Sequence, residues 1–123
     1  MKRDCSKIPY DCPIEATLGL IGGKWKALIL DHLTGGALRF GALQKMMPKI
    51  TPKMLTQQLR ELENDGLILR HVYPVVPPKV EYELTDFGQT VLPILDAMCA
   101  WGRVYLDNVR EQEGTKAAGC ACE

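Results

Sequence analysis

Apolar residues recur at helical spacing through the first half of the chain, switch to a two-residue alternation past the middle, and return to helical spacing at the end. After a short polar arm, Cys12-Pro13 opens the first predicted helix. Proline suits a first helical position, where no N–H bond is lost, and Glu15 suits the positive end of the helix dipole. Ile14, Leu18 and Ile21 form one stripe, and Gly22-Gly23 stops it. A second helix is expected from about Lys24 to Leu33, with Trp25, Leu28, Ile29 and Leu33 inward and Gly35-Gly36 at its end. Both stripes read most simply as core.

Ala37 to Phe40 is a short segment leading to a third helix, expected from about Gly41 to Met47. Leu43 with Met46 or Met47 supplies its buried side, and Pro48 terminates it. Thr51 is a natural N-cap, and Pro52 a natural first residue, for a fourth helix. Leu55, Leu59 and Leu62 form its inner stripe, Lys53, Thr56, Gln57 and Arg60 its outer face, and Asp65-Gly66 its end. Two short helices joined by a tight turn, the second with basic and amide side chains outward, form a candidate helix-turn-helix.

The period then changes. Leu67 to Tyr73 is rich in branched and aromatic residues, and Val80, Tyr82 and Leu84 alternate with Glu81 and Glu83. The intervening Pro74 to Lys79 is too proline-rich for a sheet interior and suits a stiff exposed tip. A hairpin directly after a recognition-type helix is a wing. Thr85 caps a long helix expected to reach about Val109, in which Pro93 should produce a kink unless the helix starts later. Its apolar residues fall on two stripes: Phe87, Val91, Ile94, Met98, Trp101 and Tyr105, and Leu92, Leu95, Cys99 and Leu106. A helix apolar on two sides needs two partners, its own domain and, most economically, a second copy. Ile14, Leu18, Leu92, Leu95, Cys99 and Leu106 are the candidate dimer residues. The expected fold is mainly α with a small β-hairpin, a winged helix-turn-helix with N- and C-terminal dimerisation helices. It divides into an arm at 1–11, the DNA-binding and dimerisation domain at 12–109, and a flexible tail at 110–123.

Composition sharpens this picture. A chain of 123 residues, 46% hydrophobic and 24% charged, fits one globular domain and excludes a disordered, collagen-like or disulfide-packed chain. Fifteen basic and fifteen acidic residues cancel, which taken alone argues against nucleic acid. The distribution reverses that. Residues 1–31 carry a net charge of +1, residues 32–80 carry +4 and residues 81–123 carry −5, and no acidic residue occurs from His32 to Arg60. A neutral total thus hides one basic face.

Lys53, Gln57 and Arg60 fall at i, i+4 and i+7 and project from one side. Lysine and arginine can neutralise phosphates or donate to guanine, and glutamine can pair with an adenine edge. An ordinary solvated helix face is the plain alternative; the acid-free flanks and the following hairpin favour DNA. Lys79 follows two prolines, so its loop loses little entropy on meeting a minor groove or a phosphate, or else it simply keeps a sheet edge soluble. The candidate DNA-binding set is Arg39, Thr51, Lys53, Thr56, Gln57, Arg60 and Lys79.

Cys12 sits at a predicted helix start, a position that suits a reactive thiolate, and is the candidate regulatory thiol; an inert N-cap is its plain alternative. Cys99, on an apolar stripe, reads as packing. Cys120-Ala121-Cys122 with Cys5 could bind zinc or another soft metal, but no histidine neighbours it, and no metal site or cofactor is assigned. Five cysteines, no signal peptide and no membrane-length apolar run indicate a cytoplasmic protein without a disulfide framework or membrane partner. Enzyme readings fail on spacing. Gly19 to Lys24 is one residue short of a phosphate loop, with Trp25 where Ser or Thr is required, and there is no Cys-x-x-Cys.

At this point the chain resembles the HxlR-type bacterial transcription regulators, a winged-helix family of MarR-like architecture. The resemblance rests on Cys12-Pro13, Ile21 to Trp25, Arg39-Phe40, Lys53 to Thr56, Leu59 to Glu63, Asp65 to Ile68, Pro77 to Tyr82, and Leu84-Thr85 with Gly88. It covers roughly residues 12–106. It implies a homodimer holding two winged helices apart over a palindromic double-stranded DNA operator and acting on a neighbouring gene as repressor or activator. In some members the cysteine before the first-helix proline, here Cys12, responds to oxidants or electrophiles. Two other readings stay open: a metal-sensing regulator using the tail cysteines, and a winged helix used as a protein-interaction module.

Overall fold

Leu55, Leu59 and Leu62 are fully enclosed in the computed structural model, which describes residues 12–113. They belong to α4 (Pro52–Asn64), the centre of the arrangement. Before it come α1 (Pro13–Ile21), α2 (Lys26–His32), a 3-10 turn (Leu33–Gly35), β1 (Leu38–Arg39) and α3 (Phe40–Met46). After it come β2 (Ile68–Tyr73), β3 (Lys79–Leu84), α5 (Asp86–Gln89) and α6 (Leu92–Glu113). The core joins the leucines of α4 to Ile29, Leu30 and Leu33, to Leu43, Met47 and Ile50, and to Leu67, Ile68 and Leu95.

Both ends of α4 are built as the sequence indicates. Thr51 Oγ1 accepts the N–H of Met54 at 3.1 Å, with Pro52 behind it in the first turn. At the other end Gly66 takes φ 79°, and the Leu67 N–H returns to the Leu62 carbonyl at 3.0 Å. The turn between α3 and α4 is tied by Gln44, whose Nε2 donates to the Ile50 carbonyl at 2.6 Å. These bonds fix the angle at which α4 leaves the body.

The sheet has three strands rather than a bare hairpin. β2 and β3 pair antiparallel from Ile68 opposite Leu84 to Tyr73 opposite Lys79, and β1 adds Leu38 opposite Tyr82 and Arg39 opposite Glu81. Two residues carry no readable alternation, which is why β1 passes for a connecting segment. The order is β1-β3-β2. Thr85 locks the sheet to α4: its hydroxyl donates to the Gly66 carbonyl at 2.6 Å and accepts the Gly88 N–H at 2.8 Å. Gly88 is buried so tightly that a Cβ there would overlap the Leu67 carbonyl oxygen.

Several sequence expectations shift. In α1 only Ile21 is buried, while Ile14 and Leu18 are 52% and 62% exposed. In α2, Leu30 enters the core and Leu28 turns out of it; in α3 the buried methionine is Met47 and not Met46. The long C-terminal helix is two helices. The chain breaks at Thr90 and Val91, so Pro93 falls in the first turn of α6, where it removes no helical bond. α6 also runs four residues beyond Val109 to Glu113, into what the sequence suggested as tail. The two apolar stripes do not divide cleanly between inside and outside, since Val91 of the first is buried and Leu106 of the second is exposed. Leu95, a candidate dimer residue, is instead buried in the core and Leu92 packs against that core, while Ile94, Met98, Trp101 and Tyr105 stand outward. Cys5, Cys120 and Cys122 lie outside the described residues. Among the described residues no helix is long and apolar enough to cross a membrane.

Removing Leu59 from this centre by Leu59→Ala should cost about 2–5 kcal/mol in urea unfolding. Gly88→Ala should also destabilise clearly, because the overlapping atom is backbone. A Gly88→Ala variant as stable as the wild type would mean that α5 does not pack on the end of α4 as described.

Candidate nucleic-acid interface

With three leucines turned inward, α4 has no choice about what faces out. Lys53, Gln57 and Arg60 are exposed on the opposite side. Thr56 is half-buried, and its hydroxyl donates to the Pro52 carbonyl at 2.9 Å, leaving the oxygen as an acceptor. Thr51 is exposed but uses its side-chain oxygen as the cap. Gln57 is held by its neighbours. Its Nε2 donates to Glu61 Oε2 at 2.7 Å, and Glu61 Oε1 pairs with Lys26 Nζ at 2.7 Å. The amide keeps its oxygen and one N–H unused, the pair an adenine edge requires. The hydrogen bond from Lys26, then that from Gln57, then the Lys26 charge hold the Glu61 carboxyl below the usual carboxylate range.

A second cation joins this face from the sheet. Arg60 shares a polar groove of about 320 Å³ with Thr56, Glu63, Arg70 and Tyr82. Arg70 lies on β2 opposite Tyr82, two residues beyond the buried Ile68, and so on the sheet face turned to α4. It is absent from the residues chosen by sequence. The alternation from Ile68 to Arg70 was the available signal, but the apolar character of the strand masked it.

The wing differs from expectation at its tip. Lys79 is the first residue of β3, not a tip residue. Its ammonium lies 3.4 Å from Glu81 Oε2 and 4.9 Å above the Tyr73 ring. The tip itself is Pro74 to Pro78, with Val76 fully exposed. Around the base, Tyr73 donates to Glu81 Oε1 at 3.3 Å, and the Glu81 charge pushes the Tyr73 hydroxyl pKa up. His71 Nε2 lies 3.0 Å from Glu83 Oε1. Arg39, exposed on β1, sits opposite Glu81 at the same base. So Arg39 and Lys79 flank one carboxylate beside the wing, apart from the row on α4.

Cys12 is half-buried at the start of α1, where its carbonyl accepts the Ala16 N–H and its side chain makes no cap. Cys99 is half-buried on α6, beside an apolar hollow shared with Ala27, Leu28 and Met98. Among the described residues no group of three or more His, Cys, Asp or Glu could hold a metal ion.

This arrangement, a helix-turn-helix followed by a short wing, can be set against known proteins. Residues 20–110 match the HxlR-like helix-turn-helix family. The chain belongs to that family. It is similar to the uncharacterized HTH-type transcriptional regulator YdeP of Bacillus subtilis (strain 168), 53% identical over 107 residues, covering 87% of this chain and 84% of that protein. Among solved structures it is similar to the redox regulator HypR in its reduced form, at 49% identity and TM-score 0.77, over 80% of this chain and 98% of that one. It is also similar to the diamide-treated YodB of B. subtilis, at 35% identity and TM-score 0.65, over 76% and 94% of the two chains. This HxlR-family chain is therefore a transcriptional regulator of helix-turn-helix type, with winged-helix architecture. Regulators of this kind are not enzymes, and DNA is the partner the type implies.

The depressed Glu61 pKa fixes a pH dependence. Its contribution to stability is complete above the ordinary carboxylate value and is lost as pH falls through the lowered one. Glu61→Gln should therefore shrink the fall in Tm between neutral and strongly acidic pH, followed by circular dichroism. Identical Tm profiles for variant and wild type would show that the Lys26–Glu61–Gln57 chain does not form in solution.

Proposed function

We propose that this regulator binds a palindromic double-stranded operator as a homodimer, with one α4 in each of two major-groove half-sites. The observation that carries this reading is the row Lys53, Gln57 and Arg60, exposed on α4 directly opposite its buried leucines. Gln57 reads a base edge, Lys53 and Arg60 meet phosphate or guanine, and Thr51 and Thr56 lie alongside at the groove. Arg39 and Lys79 approach the flanking backbone from the base of the wing. Acting on DNA, the protein works in the cytoplasm.

The dimer follows from what α1 and α6 leave uncovered. Ile14 and Leu18 on α1 and Ile94, Met98, Trp101, Val104, Tyr105 and Leu106 on α6 are all exposed. Trp101 is 67% exposed and stacks on Tyr105 at 5.9 Å. Exposure of so many large apolar residues calls for a partner, and a twofold copy is the simplest. Cys99, half-buried on the same helix, belongs to the proposed interface. Cys12, at the start of α1, is placed to report thiol chemistry to that interface. The likeness to HypR, a redox regulator solved oxidised and reduced, and to diamide-treated YodB supports an oxidant or electrophile as the effector. Moving α1 against the partner changes the spacing of the two α4 helices.

Fluorescence anisotropy with the DNA upstream of its own gene tests the first part. Wild type should bind with an affinity that falls steeply with salt, and Arg60→Ala should bind about tenfold or more weakly, the loss of a good charged contact. Salt-independent binding, or none to any duplex, would contradict the reading. Diamide should weaken the same binding, dithiothreitol should restore it, and Cys12→Ser should be insensitive. Unchanged binding by diamide-treated wild type would remove the thiol switch and leave DNA recognition standing.

A further inference from the structure

Arg60 and Arg70 reach one groove from two different elements, the recognition helix and the first strand of the wing. Neither arginine makes a hydrogen bond or ion pair among the described residues. Tyr82 is the third donor. The residue is buried at 9% exposure, it lines the groove, and its hydroxyl has no partner among the described residues. Glu63 is the only carboxylate in the lining, so two guanidinium groups and one carboxylate leave a net charge of +1. Guanidinium forks match the paired oxygens of a phosphate, and a net charge of +1 matches the single charge of a phosphodiester.

We infer that Arg60 and Arg70 together grip one backbone phosphodiester of the DNA, with the Tyr82 hydroxyl donating a further bond to it. This rests on the reading that α4 meets DNA, and it changes the part Arg60 plays in it. Arg60 serves as a backbone clamp rather than as a base reader, and Arg70 becomes a DNA-binding residue. A grip shared by helix and wing also fixes the register of one against the other on the duplex, because phosphate contacts position while base contacts specify. Base discrimination along α4 is then left to Lys53 and Gln57.

The test uses anisotropy titrations of full-length protein over a range of salt concentrations. The probes are the duplex upstream of its own gene and a scrambled duplex of equal length and composition. Arg70→Ala should weaken binding to both by the same factor, and should reduce the slope of log K against log salt by roughly 0.9, one phosphate contact. Arg70→Lys should restore the slope but only part of the affinity, since the charge returns without the fork. Tyr82→Phe should weaken both complexes with the slope unchanged. An unaltered slope in Arg70→Ala, or a loss confined to the upstream duplex, overturns the clamp while leaving α4 as the DNA-binding helix. Failure of wild type to bind either duplex overturns both.

Discussion

The burial of Leu55, Leu59 and Leu62 is the constraint on which the rest depends. Three leucines at helical spacing, none with measurable exposure beyond 1%, leave α4 one permissible rotation about its axis. That rotation turns Lys53, Gln57 and Arg60 to solvent without any further device. The caps at Thr51 and Gly66 then set where the helix starts and stops, and Thr85 ties the end of the wing to the same point. Helix, wing and core are thus positioned by one stripe and the bonds made at Thr51, Gly66 and Thr85. A functional surface needs such a rigid base, because a row of side chains reads a groove only if its register does not drift.

Most of this base was legible in the sequence because it rests on local chemistry. Thr51-Pro52, Asp65-Gly66 and Thr85 are capping signals whose meaning needs no tertiary partner, and the alternation from Val80 to Leu84 needs only its own period. What escaped depended on contacts across the fold. Two residues of β1 become a strand only when β3 lies beside them. Lys79 seemed to be a tip residue until the sheet extended to include it and Tyr73 came under its ammonium. On α6, two apolar stripes were visible, but which one met the core could not be read until the break at Thr90 reset the phase of the helix. Arg70 was hidden for a related reason: a strand rich in branched residues does not announce which face turns toward α4.

Charge follows the same logic of placement. The chain is neutral in total, and its basic excess lies in residues 32–80, the stretch that becomes the helix-turn-helix and most of the wing. The acidic excess lies on β3, α5 and α6. Single carboxylates also shape the basic side directly, since Glu61 on α4 orients Gln57 and Glu81 on β3 holds Lys79 at the wing's base. Such an arrangement favours approach by one face and limits indiscriminate adhesion to nucleic acid. The exposed apolar residues of α1 and α6 lie outside the basic stretch, so the proposed association with a second copy and the proposed contact with DNA draw on different elements.

On the proposed reading, two copies present α4 to successive major-groove segments of one duplex. Hydroxyl-radical footprinting of the DNA upstream of the gene tests it most directly. Two protected patches are expected on one side of the helix, related by twofold symmetry and centred one helical turn of about 10 base pairs, or a whole number of turns, apart. A single unsymmetrical patch, or protection spread evenly along the duplex, would contradict it.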